Sequence, residues 1–294
     1  ASPRAKRAAL LTPKAEPMSG LTLRWPAEDL WQRLSPRWPG FSVEVVAQID
    51  STNAELMRRA RGPEFLPTVL VAEHQTAGRG RMGRTWHGQP GDGLMMSVGL
   101  GMRPKSWQGL SLVVGTVLAQ TLDPDGRLGV GLKWPNDLWL DTPNGPRKLA
   151  GILIETAMSS PDAGRVVMGI GLNLKSPQTP PGADAFRTPP VGLNELGDAR
   201  TAPQCLAELV PALFEAMALF EQEGWLPWRS RYHARDVLKG QALVLSDGRS
   251  GMGLGVDEQG ALRLATAQGE VAVHADDVSV RSAPLAPQAS RGSE

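Results

Sequence analysis

Cysteine is almost absent from this chain of 294 residues: Cys205 is the single one. That excludes an intramolecular disulfide framework and a cysteine-based metal site, and it fits a reducing, cytoplasmic compartment. Cys205 falls in a stretch of helical pattern, where a free thiol reads as a small apolar core residue. Net charge is absent too. Thirty-one Lys and Arg stand against thirty Asp and Glu, leaving a formal charge of +1, so any hold on phosphate has to be local and not a bulk attraction. No apolar run reaches the ~18 residues of a membrane span. The "AALL" of the N-terminal segment is far shorter than a signal-peptide core. His74, His87, His233 and His274 show no i, i+4 pairing and no acidic ligand set, so they form no metal constellation. A G-x-S-x-G elbow, a Walker A loop and internal repeats are also missing.

What the chain has instead is glycine and proline, 33 and 25 residues, punctuating short apolar segments. "FSVEVVAQI" alternates at period two, the pattern of a strand. "NAELMRRA" reads as a helix, and "PTVLVAE" and "LMMSVGL" as strands. "WQGLSLVVGTVLAQTL" has helical spacing and enough apolar residues to be buried. "VGLKW", "LWL", "KLAGILIETA" and "RVVMGIGLNL" follow as strands joined by Pro, Asn, Asp and Gly turns, which suggests antiparallel hairpins. Residues 175–190 read as a Pro-rich surface loop, and the next helix contains Pro211 as a potential kink. After Gly240 short alternating strands cut by "DG", "DEQG" and "AQG" predict a small all-β module. The domain boundaries expected are an N-terminal arm, partly disordered, over 1–40, an α+β domain over 41–238, a β-barrel over 239–282 and a disordered tail over 283–294.

The densest chemistry lies in "HQTAGRGRMGRTWHG", residues 74–88, between two strands. Gly78, Gly80 and Gly83 permit positive φ and close approach of backbone N–H groups to an anion. Arg79, Arg81 and Arg84 add planar donors suited to carboxylate or phosphate. The same composition also occurs in mobile surface loops with solvated arginines. "IDSTNAEL" sets Ser51, Thr52 and Asn53 at a helix start; Thr52 with Glu55 three residues on has the form of a capping box, while small polar groups there also suit a neutral polar ligand. "LKWPNDLWL" places Lys133 beside a Pro135-Asn136-Asp137 turn, either as a rim charge or as a cation facing a phosphate pocket. Gly151, Gly169 and Gly171 interrupt two strands and allow close backbone approach, and Asn173 is a polar anchor at the end of the second.

In their order "IDSTNAEL", "AEHQTAGRGRMGRTW", "LKWPNDLWL", "KLAGILIE" and "GIGLNL" resemble the catalytic domain of the biotin protein ligases, from about Phe41 to Gly224, and the β module resembles that family's C-terminal barrel. The resemblance implies a mixed sheet with helices, of the class II aminoacyl-synthetase type, followed by a Src-homology-3-like barrel, and the ligase-only class without a DNA-binding head. It implies an ATP-dependent enzyme that makes biotinyl-5′-AMP and pyrophosphate, then passes biotin to a lysine of a biotin carboxyl carrier protein. Mg²⁺ would accompany ATP, with its ligands unassigned and Asp137 the nearest acidic residue; no redox cofactor, DNA or membrane is implied, and a homodimer is an open option.

Carried over residue by residue, Ser51, Thr52 and Asn53 would meet the biotin head, with Thr52 and Gln75 bonding its ureido group. Arg79, Gly80 and Arg81 would lie along the carboxylate and phosphates, with Arg84 and Asn136 on the adenylate side. Trp86 would cover the ligand as the loop closes. Lys133 would contact the carboxylate and α-phosphate, with Arg79 and Arg81 as its catalytic partners. Gly151, Gly169 and Gly171 would wall the biotin tail and Asn173 would sit by the nucleotide. Met82 stands where many family members have a further basic residue, and "DTPNGP", residues 141–146, looks like an insertion. Two other classes stay open: a lipoate or octanoate ligase of related fold, and a nucleic-acid module using the three loop arginines.

Overall fold

The computed structural model describes residues 23–160, 163–178, 186–275 and 280–282. Seven strands form a mixed sheet: β1 (Ser42–Ile49), β2 (Thr68–Gln75), β3 (Gly93–Met102), β4 (Gly131–Lys133), β5 (Asp137–Thr142), β6 (Gly145–Ser160) and β7 (Ala163–Asn173). Their order is β1-β2-β3-β7-β6-β5-β4. β1 and β2 are parallel because the helix α2 (Thr52–Ala60) returns the chain between them. Every other neighbouring pair is antiparallel, so the hairpins expected from the turn residues are present.

Alternation along the strands separates two faces. Val69, Val71, Met96, Val98, Met168 and Ile170 point into the main core, which α3 (Leu110–Leu122) and α4 (Ala202–Glu223) cover. Leu70 and Val167 point the other way, against Leu56, Met57 and Ala60 of α2. α2 covers only one end of this second face. The remainder carries Ser97, Gly151, Gly169 and Gly171, and that bare stretch becomes the floor of the site.

α4 is long and apolar enough to cross a membrane by length and composition, yet Leu206, Leu209, Val210, Leu213, Phe214 and Phe220 are all buried against the protein core. It is a core helix, continuous through Pro211.

The N-terminal boundary moves. Residues 23–40 are not an arm: α1 (Ala27–Leu34) buries Leu30 and Leu34 in the main core, and Trp38 and Phe41 both meet Phe214 edge-on, with ring centroids 5.1 and 5.0 Å apart. The amphipathic "LWQRL" pattern was the signal for this helix. Residues 1–22 and 283–294, read as arm and tail, lie outside the described residues.

Beyond the short helix α5 (Arg229–His233), five antiparallel strands build the β module: β8 (Ala242–Leu245), β9 (Ser250–Val256), β10 (Leu262–Thr266), β11 (Gly269–Val273) and β12 (Val280–Ser282). Their order is β11-β10-β9-β8-β12. The module and the segment leading into it are tied to the catalytic domain at several points. Leu132 donates its N–H to Arg235 O at 2.6 Å and accepts at its own carbonyl from Val237 N at 3.1 Å. The Trp134 and Trp225 indoles donate to Gly260 O at 3.1 Å and Glu258 O at 2.7 Å.

Candidate active site

A cavity of about 770 Å³ opens on the second face of the sheet, and all fifteen residues singled out from the sequence line it: Ser51, Thr52, Asn53, Gln75, Arg79, Gly80, Arg81, Arg84, Trp86, Lys133, Asn136, Gly151, Gly169, Gly171 and Asn173. Residues spread over more than a hundred positions meet because β1, β2, β4 and β7 all end at this side.

One end of the cavity is polar and uncharged. Ser51, not Thr52, caps α2: its Oγ accepts from Ala54 N at 3.3 Å. The capping box expected at Thr52 and Glu55 is absent because the Glu55 carboxylate is held by Arg58 and Arg59 instead. Thr52 is thereby released for other contacts. Its N–H donates to Gln75 Oε1 at 2.8 Å, and its Oγ1 lies 2.8 Å from Ser97 Oγ. Ser97 Oγ donates to Asn53 Oδ1 at 3.1 Å. Ser51, Thr52, Asn53 and Ser97 are all buried, and buried polar groups without such partners would be costly.

The opposite end is cationic. Lys133 closes β4 and is only 7% exposed, so it is a buried cation and no rim charge. Its Nζ lies 5.2 Å above the Trp139 ring. Burial pushes the ammonium down to about 8; the Asp137 carboxylate opposes this, while Lys148, Arg84 and Arg81 add to it. Lys148, which the sequence reading passed over, faces the same cavity and pairs with Asp137 at 2.8 Å. It stands in "RKLAG", where two adjacent cations share the start of β6 and only register decides which one faces the site. The register is set by the far end of the Pro-rich segment: Lys148 N donates to Pro189 O at 2.8 Å and Val191 N to Lys148 O at 2.9 Å. That segment is therefore no plain surface loop. Pro177, Phe186, Arg187, Thr188 and Pro190 line the cavity, and residues 179–185 lie outside the described residues.

The glycine–arginine loop is a small hairpin over the mouth. Gly80 N donates to Arg84 O at 2.7 Å and Trp86 N to Gly78 O at 2.9 Å. Of the three glycines expected to need positive φ, only Gly83 does, with φ 69°; Met82 beside it also takes the left-handed region at φ 55°. Gly78 is required for another reason, since a Cβ there would fall 2.5 Å from Trp86 O. Gly80 has open space, with nothing nearer than 3.7 Å. At the tip Arg81 Nη1 donates to Asn136 Oδ1 at 3.3 Å and Nη2 donates to Ala275 O, so the loop touches both the sheet and the β module. Asn136 is itself fixed, donating from Nδ2 to Ile152 O at 2.6 Å. Arg79 and Arg84 are exposed at the mouth. Asn173 is buried, with Nδ2 donating to Lys148 O at 3.2 Å.

The three sheet glycines do not form a bare wall. A Cβ at Gly171 would lie 2.3 Å from the Trp86 indole and one at Gly151 2.9 Å from it, while one at Gly169 would strike Asn53 Oδ1 at 2.6 Å. Trp86 and Asn53 therefore furnish the wall, and the glycines let them settle onto the sheet. Gly151 and Gly171 are direct partners across β6 and β7, which makes one trough wide enough for an indole.

The chain that builds this cavity is similar to known proteins. Residues 45–173 match the model of the Biotin/lipoate A/B protein ligase family. The bifunctional ligase/repressor BirA of Escherichia coli is 38% identical over 230 residues, which are 76% of this chain and 70% of that protein. The chain belongs to the biotin protein ligase family. A second member, the biotin–[acetyl-CoA-carboxylase] ligase of Paracoccus denitrificans, is 34% identical over 80% of this chain and 98% of its own length. Among solved structures, the biotin protein ligase of Aquifex aeolicus in complex with biotin and ATP superposes with a TM-score of 0.67 at 25% identity, covering 82% of this chain and 99% of that one. The biotin protein ligase fold, a mixed catalytic sheet followed by a small β module, is the one described above.

Proposed function

We propose that this ATP-dependent biotin protein ligase works by seating the vitamin's neutral bicyclic head at Thr52 and Gln75 and its carboxylate among Lys133, Lys148, Arg79 and Arg81. The observation that carries this is the division of one cavity into a buried, uncharged hydrogen-bonding end and a cationic end, the two ends of biotin itself. In the first step a biotin carboxylate oxygen attacks the α-phosphorus of ATP. The new O–P bond forms as the bond to the β-phosphate bridge breaks, and pyrophosphate leaves. In the second step the neutral ε-amine of a carrier-protein lysine attacks the anhydride carbonyl, AMP departs with the electron pair, and the proton lost from the amine passes to AMP or to solvent.

Little covalent chemistry is asked of the protein in either step; positioning and offsetting negative charge dominate. Lys133 and Lys148 would sit against the carboxylate and α-phosphate, Arg79 and Arg84 would meet the polyphosphate at the mouth, and Asn136 and Asn173 would border the nucleotide. Trp86 would cover the acyl adenylate, and Arg81 would hold the hairpin shut over it, since a mixed anhydride in water hydrolyses.

Magnesium fits the residues present. Among the described residues no three His, Cys, Asp or Glu side chains cluster to form a protein cage, but Asp137 is a carboxylate on the cavity wall, and Mg²⁺ is commonly held by one or two carboxylates together with substrate phosphates. Asp137 would hold it, and the ion would supply positive charge that offsets the repulsion among the phosphates.

The lipoate reading is less well supported, because a plain acyl head would leave Thr52, Gln75 and the buried Ser97 facing apolar surface. Calorimetry with biotin and with lipoate, each with and without a non-hydrolysable ATP analogue, tests the choice. Tight binding of biotin alone is expected; preference for lipoate would overturn it.

A further inference from the structure

The polar end of the cavity is not an unordered set of hydroxyls and amides; it is a chain with a direction. It starts at Glu155 on β6, whose carboxylate Oε2 accepts from Asn53 Nδ2 at 2.5 Å. A carboxylate has no proton to give, so Nδ2 of Asn53 must be the donor there. That places Asn53 Oδ1 inward as an acceptor, and Ser97 Oγ donates to it at 3.1 Å. A serine hydroxyl has one proton. Having used it on Asn53, Ser97 can only accept from Thr52 Oγ1, 2.8 Å away, which turns toward Ser97 the one proton that Gln75 Oε1, 3.1 Å from Thr52 Oγ1, would otherwise take. The Thr52 hydroxyl proton is thus drawn away from the cavity, and its remaining lone pairs face the ligand. Beside it Gln75 Oε1 takes the Thr52 N–H at 2.8 Å, which leaves the Gln75 Nε2 donors, close to Gly78 of the hairpin, with no hydrogen-bond partner among the described residues.

The pocket therefore offers an acceptor at Thr52 and a donor at Gln75, side by side. A ureido group needs that pair: one N–H seeks an acceptor while the neighbouring carbonyl seeks a donor. Glu155 does not line the cavity and makes no ion pair among the described residues; its hydrogen bond goes to a buried neutral amide. We propose that Glu155 is a positioning residue that sets the donor–acceptor polarity of the head-group pocket, acting through Asn53 and Ser97 on Thr52. This rests on the biotin reading above.

The test exploits direction. Glu155→Gln keeps an oxygen able to accept from Asn53, so the chain keeps its sense. Glu155→Lys offers only donors, so Asn53 has to turn over and Ser97 donates to Thr52; that occupies a Thr52 lone pair otherwise open to the ligand and leaves the Thr52 proton to Gln75 Oε1, 3.1 Å away, or to the ligand. The KM for biotin should stay within about threefold of wild type in Glu155→Gln and rise about tenfold or more in Glu155→Lys, the scale of one mismatched polar contact. The KM for ATP and the kcat at saturating biotin should change by less than about twofold in both. The preference for biotin over an N-methylated biotin should shrink in Glu155→Lys and persist in Glu155→Gln. Should Glu155→Lys fold poorly, Ser97→Ala interrupts the same chain at its middle and should likewise shrink that preference. Equal behaviour of the Gln and Lys variants, or a fall in kcat at unchanged biotin KM, overturns the proposal; so does an unchanged preference in Ser97→Ala. If the wild-type protein itself takes up no biotin, the functional reading fails first, and that is measured separately in the same titration.

Discussion

The indole of Trp86 rests on Gly171 so closely that a Cβ there would come within 2.3 Å of the ring. A loop residue from one side of the cavity and a strand residue from its floor are thus a single fitted pair. Gly171→Ala should drive the indole off the sheet, raising the KM for biotin and releasing adenylate to solvent, at a stability cost of about 1–3 kcal/mol for overpacking. Gly80→Ala is the control for backbone fit within the loop, since its backbone lies at φ −118° and an added Cβ would make only ordinary contacts with Arg84, and it should leave melting near wild type. Thermal unfolding together with released biotinyl-AMP measured by mass spectrometry distinguishes the two.

Lys133 gives a pH signature. Burial lowers its ammonium to about 8, so in the free protein the cation is present below that pH and is lost as pH rises through it. The kcat/KM for ATP, which reports groups in the free enzyme, should fall above pH 8. Lys133→Arg, whose charge persists to far higher pH, should remove that fall even if its maximal rate is lower. The linked stability has the opposite sense. Because the folded-state value is the depressed one, the unfolded chain binds more protons between about pH 8 and 10.5, and this residue's destabilising effect is relieved as pH rises through that window.

Lys148 and Asp137 should separate chemistry from folding. Their side chains are 27% and 13% exposed at a 2.8 Å separation. Lys148→Ala leaves a mostly buried carboxylate unpaired and should cost about 1–2 kcal/mol, below the range for fully buried pairs. It should also cut single-turnover adenylation about a hundredfold. Lys148→Ala combined with Asp137→Asn should recover stability without recovering adenylation. Recovery of both would make the pair a structural feature only.

Much of this could be read from the sequence because the site is made of turns and strand ends, where residue type betrays conformation. "GRGRMGRTW" and "WPND" announce themselves through glycine, proline and clustered charge, and apart from Gly78 each expected residue lines the cavity. What could not be read depends on register and on distance in the chain. Lys148 looked no different from Arg147 until the pairing with Pro189 and Val191 turned it inward. Ser97 sits in the apolar run "LMMSVGL", where a lone serine is silent until Thr52 and Asn53 are brought beside it. α1 was passed over because α4, against which it packs, lies far along the chain.

Arg81 joins the loop to Asn136 of the catalytic sheet and to Ala275 of the β module. Arg81→Ala should loosen the hairpin, so that adenylate escapes at least about tenfold faster and acylates bystander lysines, because closure is what excludes water. Adenylate retention after rapid gel filtration reads this out, and retention equal to wild type would remove Arg81 from the closure.

The central claim is that one cavity joins a carboxylate to the α-phosphate of ATP only when its polar end holds biotin. The most direct measurement is exchange of labelled pyrophosphate into ATP by the purified protein, with biotin, with lipoate and with neither. Exchange that appears with biotin alone is the expected result; exchange that is absent with biotin, or equal in all three conditions, would contradict it.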